Sequence, residues 1–380
     1  MYRENYINAL QSELLEIVAE QLTPVAMRWG YSEVPLETNI KWRPLVLILG
    51  NYSSGKSTLI NELLGGDIQA AGQAPTDDSF TIITYDDSSE NAEAVTVTEE
   101  RDGKFLLHDS EYPFESLKKH GQRFAAHFRL KKVNSPFLKN LAIIDTPGML
   151  DSITERDRGY DYQEVIGDLA QIADLVLVLF DPHKAGTVRE AHTSLRHTLP
   201  ARTFEDRVIF VLNRIDECAS MMDLLRVYGT LCWNLSQITG RKDIPFIHLT
   251  YSPKAAKASA GADEEKQRYL AHLENHRDTL KKSILDAPCH RLDNLATFVE
   301  THSERLAHFL EALISFRKRT RRLFAKSFFS GLLLSAACGA GAFIGMFAIP
   351  FLGGLDPSFQ IGGSCAAAVL AFFIWISVVH

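Results

Sequence analysis

The stretch Gly50-Asn51-Tyr52-Ser53-Ser54-Gly55-Lys56-Ser57-Thr58 constrains this chain more than any other part of it. It fits the pattern G-x-x-x-x-G-K-[ST]. An apolar run of buried-strand type, 45–49, precedes it, and Leu59, Ile60, Leu63 and Leu64 follow at helical spacing. Strand, glycine-bearing loop and helix in that order are the setting in which the pattern cradles phosphate. Gly50 and Gly55 let the backbone turn so that successive N–H groups aim at phosphate oxygens, and the helix N-terminus adds its positive dipole end. Lys56 would reach the β- and γ-phosphates, and the Ser57 hydroxyl would ligate Mg²⁺. Average residue usage puts a chance match in 380 residues on the order of 1%. The pattern therefore reads as a site for a nucleoside triphosphate with Mg²⁺.

Further strand-like runs occur at 80–85, 94–98, 141–144, 175–180, 208–212 and 246–249, with helical stretches between several of them. Alternation of this kind predicts an α/β domain over 44–252, a mainly parallel sheet with helices on both faces. Residues 262–325 are charged, and Leu or Ile recurs there at three- and four-residue spacing without strand signals. They read as helices that pack with the N-terminal helices of 1–43 into an all-α domain, 253–326 together with 1–43.

Two loops carry companion motifs. Asp145-Thr146-Pro147-Gly148 follows the 141–144 run. A carboxylate at the carboxyl end of a parallel strand lies beside the phosphate crevice, where Asp145 would hold Mg²⁺ through water. Gly148 would offer its N–H to the γ-phosphate and release it after hydrolysis. Alone, this tetrapeptide is equally a plain turn. Asn213-Arg214-Ile215-Asp216 follows the 208–212 run. Asp216 can accept from N1–H and the exocyclic amine of guanine, a donor pair that adenine lacks. Asn213 can tie the loop to the phosphate loop, and the Arg214 stem can cover the base. In isolation, Asp216 is equally a helix N-cap.

The net charge of −7 excludes the broad basic footprint of a nucleic-acid binder. Five scattered cysteines suggest neither a disulfide framework nor a zinc site. Residues 327–355 and 357–379 contain no charged side chain, and each run is long enough to cross a hydrocarbon core of about 30 Å. Together they predict a transmembrane helical hairpin, 327–380, with its tip at 356–360. Arg317, Lys318, Arg319, Arg321, Arg322 and Lys326 precede the first run. Such charge keeps that side cytoplasmic and attracts anionic headgroups. Gly331, Ser335 and Gly339, Gly341 and Gly345, and Gly363 and Ala367 are small residues spaced for close helix contact. A buried soluble hairpin and a paddle inserted into one leaflet are the alternatives.

The longer phrases resemble the dynamin superfamily, and within it the EH-domain-containing (EHD) membrane-remodelling NTPases. They are GNYSSGKST at 50–58, APTDDSF at 74–80, IIDTPGML at 143–150, RGYDY at 158–162, LVLFDPHK at 177–184, VLNRID at 211–216 and LLRVYGTLCWNL at 224–235. The resemblance covers most of 40–315. It implies a dynamin-type nucleotide domain, a helical domain that works on membranes, and nucleotide-dependent dimerisation or higher assembly. It places Thr76 in the switch that positions Mg²⁺ and water, and His183 in structure beside the sheet. Three departures stand out. Asp77 replaces a switch threonine: either Thr76 takes over its role, or the Asp77 carboxylate alters Mg²⁺ handling and, unless a cation intervenes, repels the γ-phosphate and slows hydrolysis. EHD proteins use ATP despite an Asn-Lys-x-Asp motif, against the guanine argument for Asp216. His248-Leu249-Thr250-Tyr251-Ser252 stands where EHD proteins carry an aromatic segment at their dimer contact. No EH domain is recognised, so EH-type peptide partners are not expected.

The sequence thus predicts a membrane-anchored dynamin-like GTPase of bacterial or organellar type, its nucleotide domain cytoplasmic, at a bacterial inner membrane. It would bind Mg²⁺ and GTP or ATP, self-associate, and remodel or tether bilayers. The rivals are a nucleotide-gated scaffold with negligible turnover and a small GTPase with a tail anchor.

Overall fold

The apolar runs assemble into one eight-stranded sheet in the computed structural model of the protein, which describes residues 2–32, 35–40, 42–70, 79–88, 94–109, 111–149, 159–184, 207–239, 244–254, 256, 269–348 and 357–379. The strands are β1 (Leu45–Gly50), β2 (Phe80–Tyr85), β3 (Val97–Asp102), β4 (Phe128–Val133), β5 (Ala142–Asp145), β6 (Leu175–Phe180), β7 (Val208–Leu212) and β8 (Ile247–Leu249), in the order β3-β4-β2-β5-β1-β6-β7-β8. From β5 through β8 all neighbours are parallel, whereas β2 opposes β5 and β3 opposes β4. The helices of nine residues or more are α1 (Tyr2–Ile17), α2 (Lys56–Leu64), α3 (Tyr162–Ile172), α4 (Met221–Thr239), α5 (Arg277–Leu285), α6 (Ala287–Ala348) and α7 (Pro357–Val379).

β1 reads as an unbroken apolar run because both of its faces are covered. Leu45, Leu47 and Leu49 join one core with Val165 and Leu169 of α3 and Leu224 and Leu231 of α4. Val46 and Ile48 join the other with Leu59 and Leu63 of α2 and Leu280 and Ile284 of α5. Each such side chain contributes about 1.5–3 kcal/mol when fully buried. The carboxyl ends of β1, β5 and β7 carry the three motif loops.

β4 is a strand that the sequence pattern does not announce, and β3 lies later than the predicted 94–98. Both have the same cause. Phe128 and Leu130 pack into the first core, but Arg129, Lys131 and Lys132 break the apolar rhythm. The lysine charges are met by neighbours in space: Lys132 Nζ lies 2.7 Å from Glu99 of β3, and buried Lys131 donates to loop oxygens. Cross-strand ion pairs hold a strand together as apolar pairs do, without leaving a hydrophobic signature.

The chain divides into two compact units, Met1–His302 and Ser303–His380, with α6 passing from one into the other. Within the first, the segments preceding the sheet lie against the start of α6. Gln11 Nε2 donates to the Pro288 carbonyl at 3.3 Å, and Tyr31 and His302 share a 3.1 Å hydrogen bond. Asp174, just before β6, accepts from Leu45 N, from Asn294 Nδ2 at 2.8 Å and from Arg291 Nη1 at 3.2 Å. Arg291 Nη2 also donates to the Trp42 carbonyl at 2.8 Å. Removing one partner of a buried pair like Asp174–Arg291 costs about 3–5 kcal/mol, because the other charge stays buried.

Within the second unit α7 runs antiparallel to α6. A Cβ on Gly331 would meet the Trp375 ring at 2.3 Å, one on Gly339 would meet Ala368 at 3.0 Å, and one on Gly363 would meet Met346 at 2.6 Å. Gly341 and Gly345 have open space instead. Trp375 Nε1 donates to the Ser327 carbonyl at 3.1 Å, which satisfies the indole in apolar surroundings. Apolar side chains otherwise point outward: Leu333 is 71% and Ile344 67% exposed. That exposure is not the packing of a buried soluble hairpin. Among the described residues α6 is the one helix long and apolar enough to cross a membrane, and the apolar part of α7, Ile361–Ser377, is shorter. Pro350 and Asp356 lie outside the described residues.

Candidate nucleotide site

The loop between β1 and α2 is shaped by its glycines. Gly55 has φ +83°, a left-handed conformation that side chains with a Cβ resist, and a Cβ there would lie 2.5 Å from Asn213 Nδ2. A Cβ on Gly50 would meet the Leu179 carbonyl at 2.7 Å. Ser53 also takes positive φ, so the loop turns tightly into the first turn of α2. Buried Lys56 folds over this turn, its Nζ donating to the Gly50 carbonyl at 2.8 Å and the Asn51 carbonyl at 3.1 Å.

The β5 loop closes on the same crevice. Met149 N donates to the Gly50 carbonyl at 3.2 Å, and Thr146 Oγ1 donates to the Ile48 carbonyl at 2.8 Å. Gly148 presses so closely on Tyr52 that a Cβ would lie 2.7 Å from its ring. Asp145 ends β5 with 7% exposure and accepts from Gln69 Nε2 at 2.7 Å.

Asn213 ties the β7 loop to the phosphate loop through Nδ2, which donates to the Ser54 carbonyl at 2.9 Å. Its Oδ1 accepts from Thr250 Oγ1 at 3.0 Å, so the segment after β8 holds Asn213 in place. Arg214, at φ +60°, reaches the Ser53 carbonyl, pairs with Glu217, and lies 3.3 Å from Asp181. Its Cγ and Cδ would lie 3.6 Å from a Cβ on Gly55, so its stem runs along the loop. Asp216 sits half-buried in the one-turn helix Ile215–Glu217. Burial first, then the charges of Asp223 and Asp216, push the neighbouring Cys218 thiol up to about 11. Behind the loop, Arg277 pairs with Glu62 of α2, and burial draws its guanidinium below the usual arginine range despite that partner.

The structure thus brings Gly50–Thr58, Asp145, Gly148, Asn213 and Arg214 to one end of the sheet. Thr76 and Asp77 fall outside the described residues. His183 Nε2 lies 3.2 Å from Glu217 with its side chain largely exposed, an edge position rather than a buried base. The Ser57 hydroxyl and the Asp145 carboxylate are hard oxygen donors beside a glycine-lined cradle, a set that fits Mg²⁺. The residues that sequence reasoning misses are Gln69, Lys131, Thr250, Glu62 and Arg277. No spacing pattern marks them, because each acts through a neighbour that the fold supplies.

Residues 46–215 match the Dynamin family. EH domain-containing protein 2 of Arabidopsis thaliana is 28% identical over 288 residues, which cover 72% of this chain and 49% of that protein. EH domain-containing protein 2 of Rattus norvegicus is 30% identical over 254 residues, 65% of this chain and 44% of that one. The chain spans about half the length of the curated relatives it matches. A solved structure of an oligomerised bacterial dynamin pair is 14% identical, covers 97% of this chain and 59% of its own, and superposes with a TM-score of 0.41.

Proposed function

We propose that this chain is a dynamin-like, membrane-anchored nucleoside triphosphatase that favours GTP, self-associates, and couples hydrolysis to remodelling or tethering of a bilayer. The observation that carries this reading is the convergence of three loops at the carboxyl ends of β1, β5 and β7, with Asn213 bonded to Ser54 across them. In this reading the backbone N–H groups of 50–58 and the Lys56 ammonium hold the triphosphate. Ser57, Thr76 and Asp145 hold Mg²⁺, which when bound neutralises triphosphate charge. Gly148 senses the γ-phosphate through its N–H, and its tight seat on Tyr52 passes that contact to the phosphate loop. Asp216 and Arg214 serve the base. ATP is the second reading, favoured by the likeness to EHD proteins.

Membrane attachment would come from α6 and α7, with the basic residues of 317–326 on anionic headgroups at the cytoplasmic face of a bacterial inner membrane. Self-association has support in α4, where Met222, Leu225 and Trp233 leave an apolar stripe in water. The site assignment is tested by equilibrium binding of a fluorescent GTP analogue, with unlabelled GTP and ATP as competitors. Lys56→Ala should weaken binding by about 2–5 kcal/mol, the usual effect of truncating one side of a buried charge contact. Full-strength binding and cleavage by Lys56→Ala would sink the assignment.

A further inference from the structure

A buried polar chain stands behind Asp145 and belongs to no recognised motif. Gln69 Nε2 donates to Asp145 Oδ2 at 2.7 Å. Lys131 Nζ donates to Gln69 Oε1 at 3.0 Å and to the Ile68 carbonyl at 3.2 Å. Asn61 of α2 pins the same loop: its Oδ1 accepts from Ile68 N and Gln69 N, and its Nδ2 donates to the Gln69 carbonyl at 2.8 Å. Gln69 is 6% and Lys131 9% exposed. Sheet register aligns Lys131 of β4 with Ile83 of β2 and Ile83 with Ile143 of β5, and Asp145 lies two residues beyond Ile143 on the same face.

The direction of this chain is fixed by chemistry. An ammonium group only donates, so it turns the Gln69 carbonyl toward itself and leaves the amide N–H₂ for the carboxylate. Burying a lysine and a glutamine costs desolvation that a methionine and a leucine of similar size would avoid. Filling the core therefore does not account for them. Gln69 also stands two residues before the 71–78 segment that carries Thr76.

We propose that Gln69 is a positioning residue for Asp145, that Lys131 sets the orientation of its amide, and that the pair governs how much Mg²⁺ strengthens triphosphate binding. The proposal rests on the reading of Asp145 as a Mg²⁺ carboxylate. Hydrogen-bonding partners of metal ligands commonly carry 10–100-fold of metal affinity.

The test uses the full chain and a fluorescent GTP analogue, with affinity measured in EDTA and in Mg²⁺. The ratio of the two affinities is the Mg²⁺-dependent gain. Gln69→Leu and Gln69→Glu should lower that gain by about 10–100-fold while affinity in EDTA stays at the wild-type level. Lys131→Arg should keep the gain, and Lys131→Met should lose part of it. If the Gln69 variants lose affinity equally in EDTA and Mg²⁺, the role is structural and the proposal is wrong. If Asp145→Asn abolishes the gain but both Gln69 variants retain it, the proposal is wrong while the reading of Asp145 stands. If Asp145→Asn retains the gain, the reading of Asp145 itself fails.

Discussion

β1 and the apolar stretch of α6 are written in the same residues and end in opposite surroundings. Leu-Val-Leu-Ile-Leu in β1 is buried on both faces, whereas Leu333 and Ile344 of α6 face outward. The chain supplies its own cover for the first, from α2, α3, α4 and α5. For the second, among the described residues, α7 covers a seam through Gly331, Gly339 and Gly363. Apolar content therefore does not separate a core strand from an outward-facing apolar helix. Charge does: Arg43 and Lys56 stand just outside β1, whereas no charged side chain interrupts 327–355 or 357–379.

The sharpest way to break this comparison is to truncate one leucine or isoleucine in each region. Leu47→Ala should cost about 2–5 kcal/mol of unfolding stability by urea titration, because it opens a cavity in the sheet core. Ile344→Ala should stay within about 0.5 kcal/mol in the same titration. Equal costs would mean that α6 is packed like a core. Charge reverses the ranking. Ile344→Arg should weaken co-sedimentation with anionic vesicles by about 2.5–3.5 kcal/mol per helix, the penalty for arginine near the middle of a span. Unchanged sedimentation would remove α6 from the bilayer.

A smaller effect sharpens the seam. Gly331→Leu should push Trp375 away and separate the helix pair at a cost of about 1–3 kcal/mol, read as increased protease cleavage in detergent. Gly341→Leu meets nothing and should leave the cleavage pattern alone. The smallest expected effect is on pH dependence. Burial first, and then His276 beside it, hold His248 of β8 below the usual histidine range. The unfolded chain therefore takes up this proton first. Its contribution to stability is fully present above pH ~6.5 and is lost as pH falls toward the lower folded value. The Tm should drop between pH 7 and pH 5, and His248→Gln should flatten that slope.

The comparison also explains what the sequence shows and hides. β1 and β6 are legible because burial on both faces demands apolar residues almost throughout. The phosphate loop is legible because positive φ at Gly55 and close approach at Gly50 leave few residue choices. β4 is hidden because Lys131 and Lys132 are satisfied by Gln69 and Glu99, partners distant in sequence. Gln69, Thr250 and Arg277 are hidden for the same reason. The second unit is legible as apolar helices from their length alone, but its antiparallel seam needs the observed contacts of Trp375, Ala368 and Met346.

One measurement tests most directly whether a single chain joins the nucleotide crevice to a bilayer. Phosphate release from GTP, and separately from ATP, is followed with Mg²⁺ while anionic vesicles are titrated against the full chain. The account predicts release that rises with vesicle concentration and is abolished in Lys56→Ala. Release that ignores vesicles, or persists undiminished in Lys56→Ala, would contradict it.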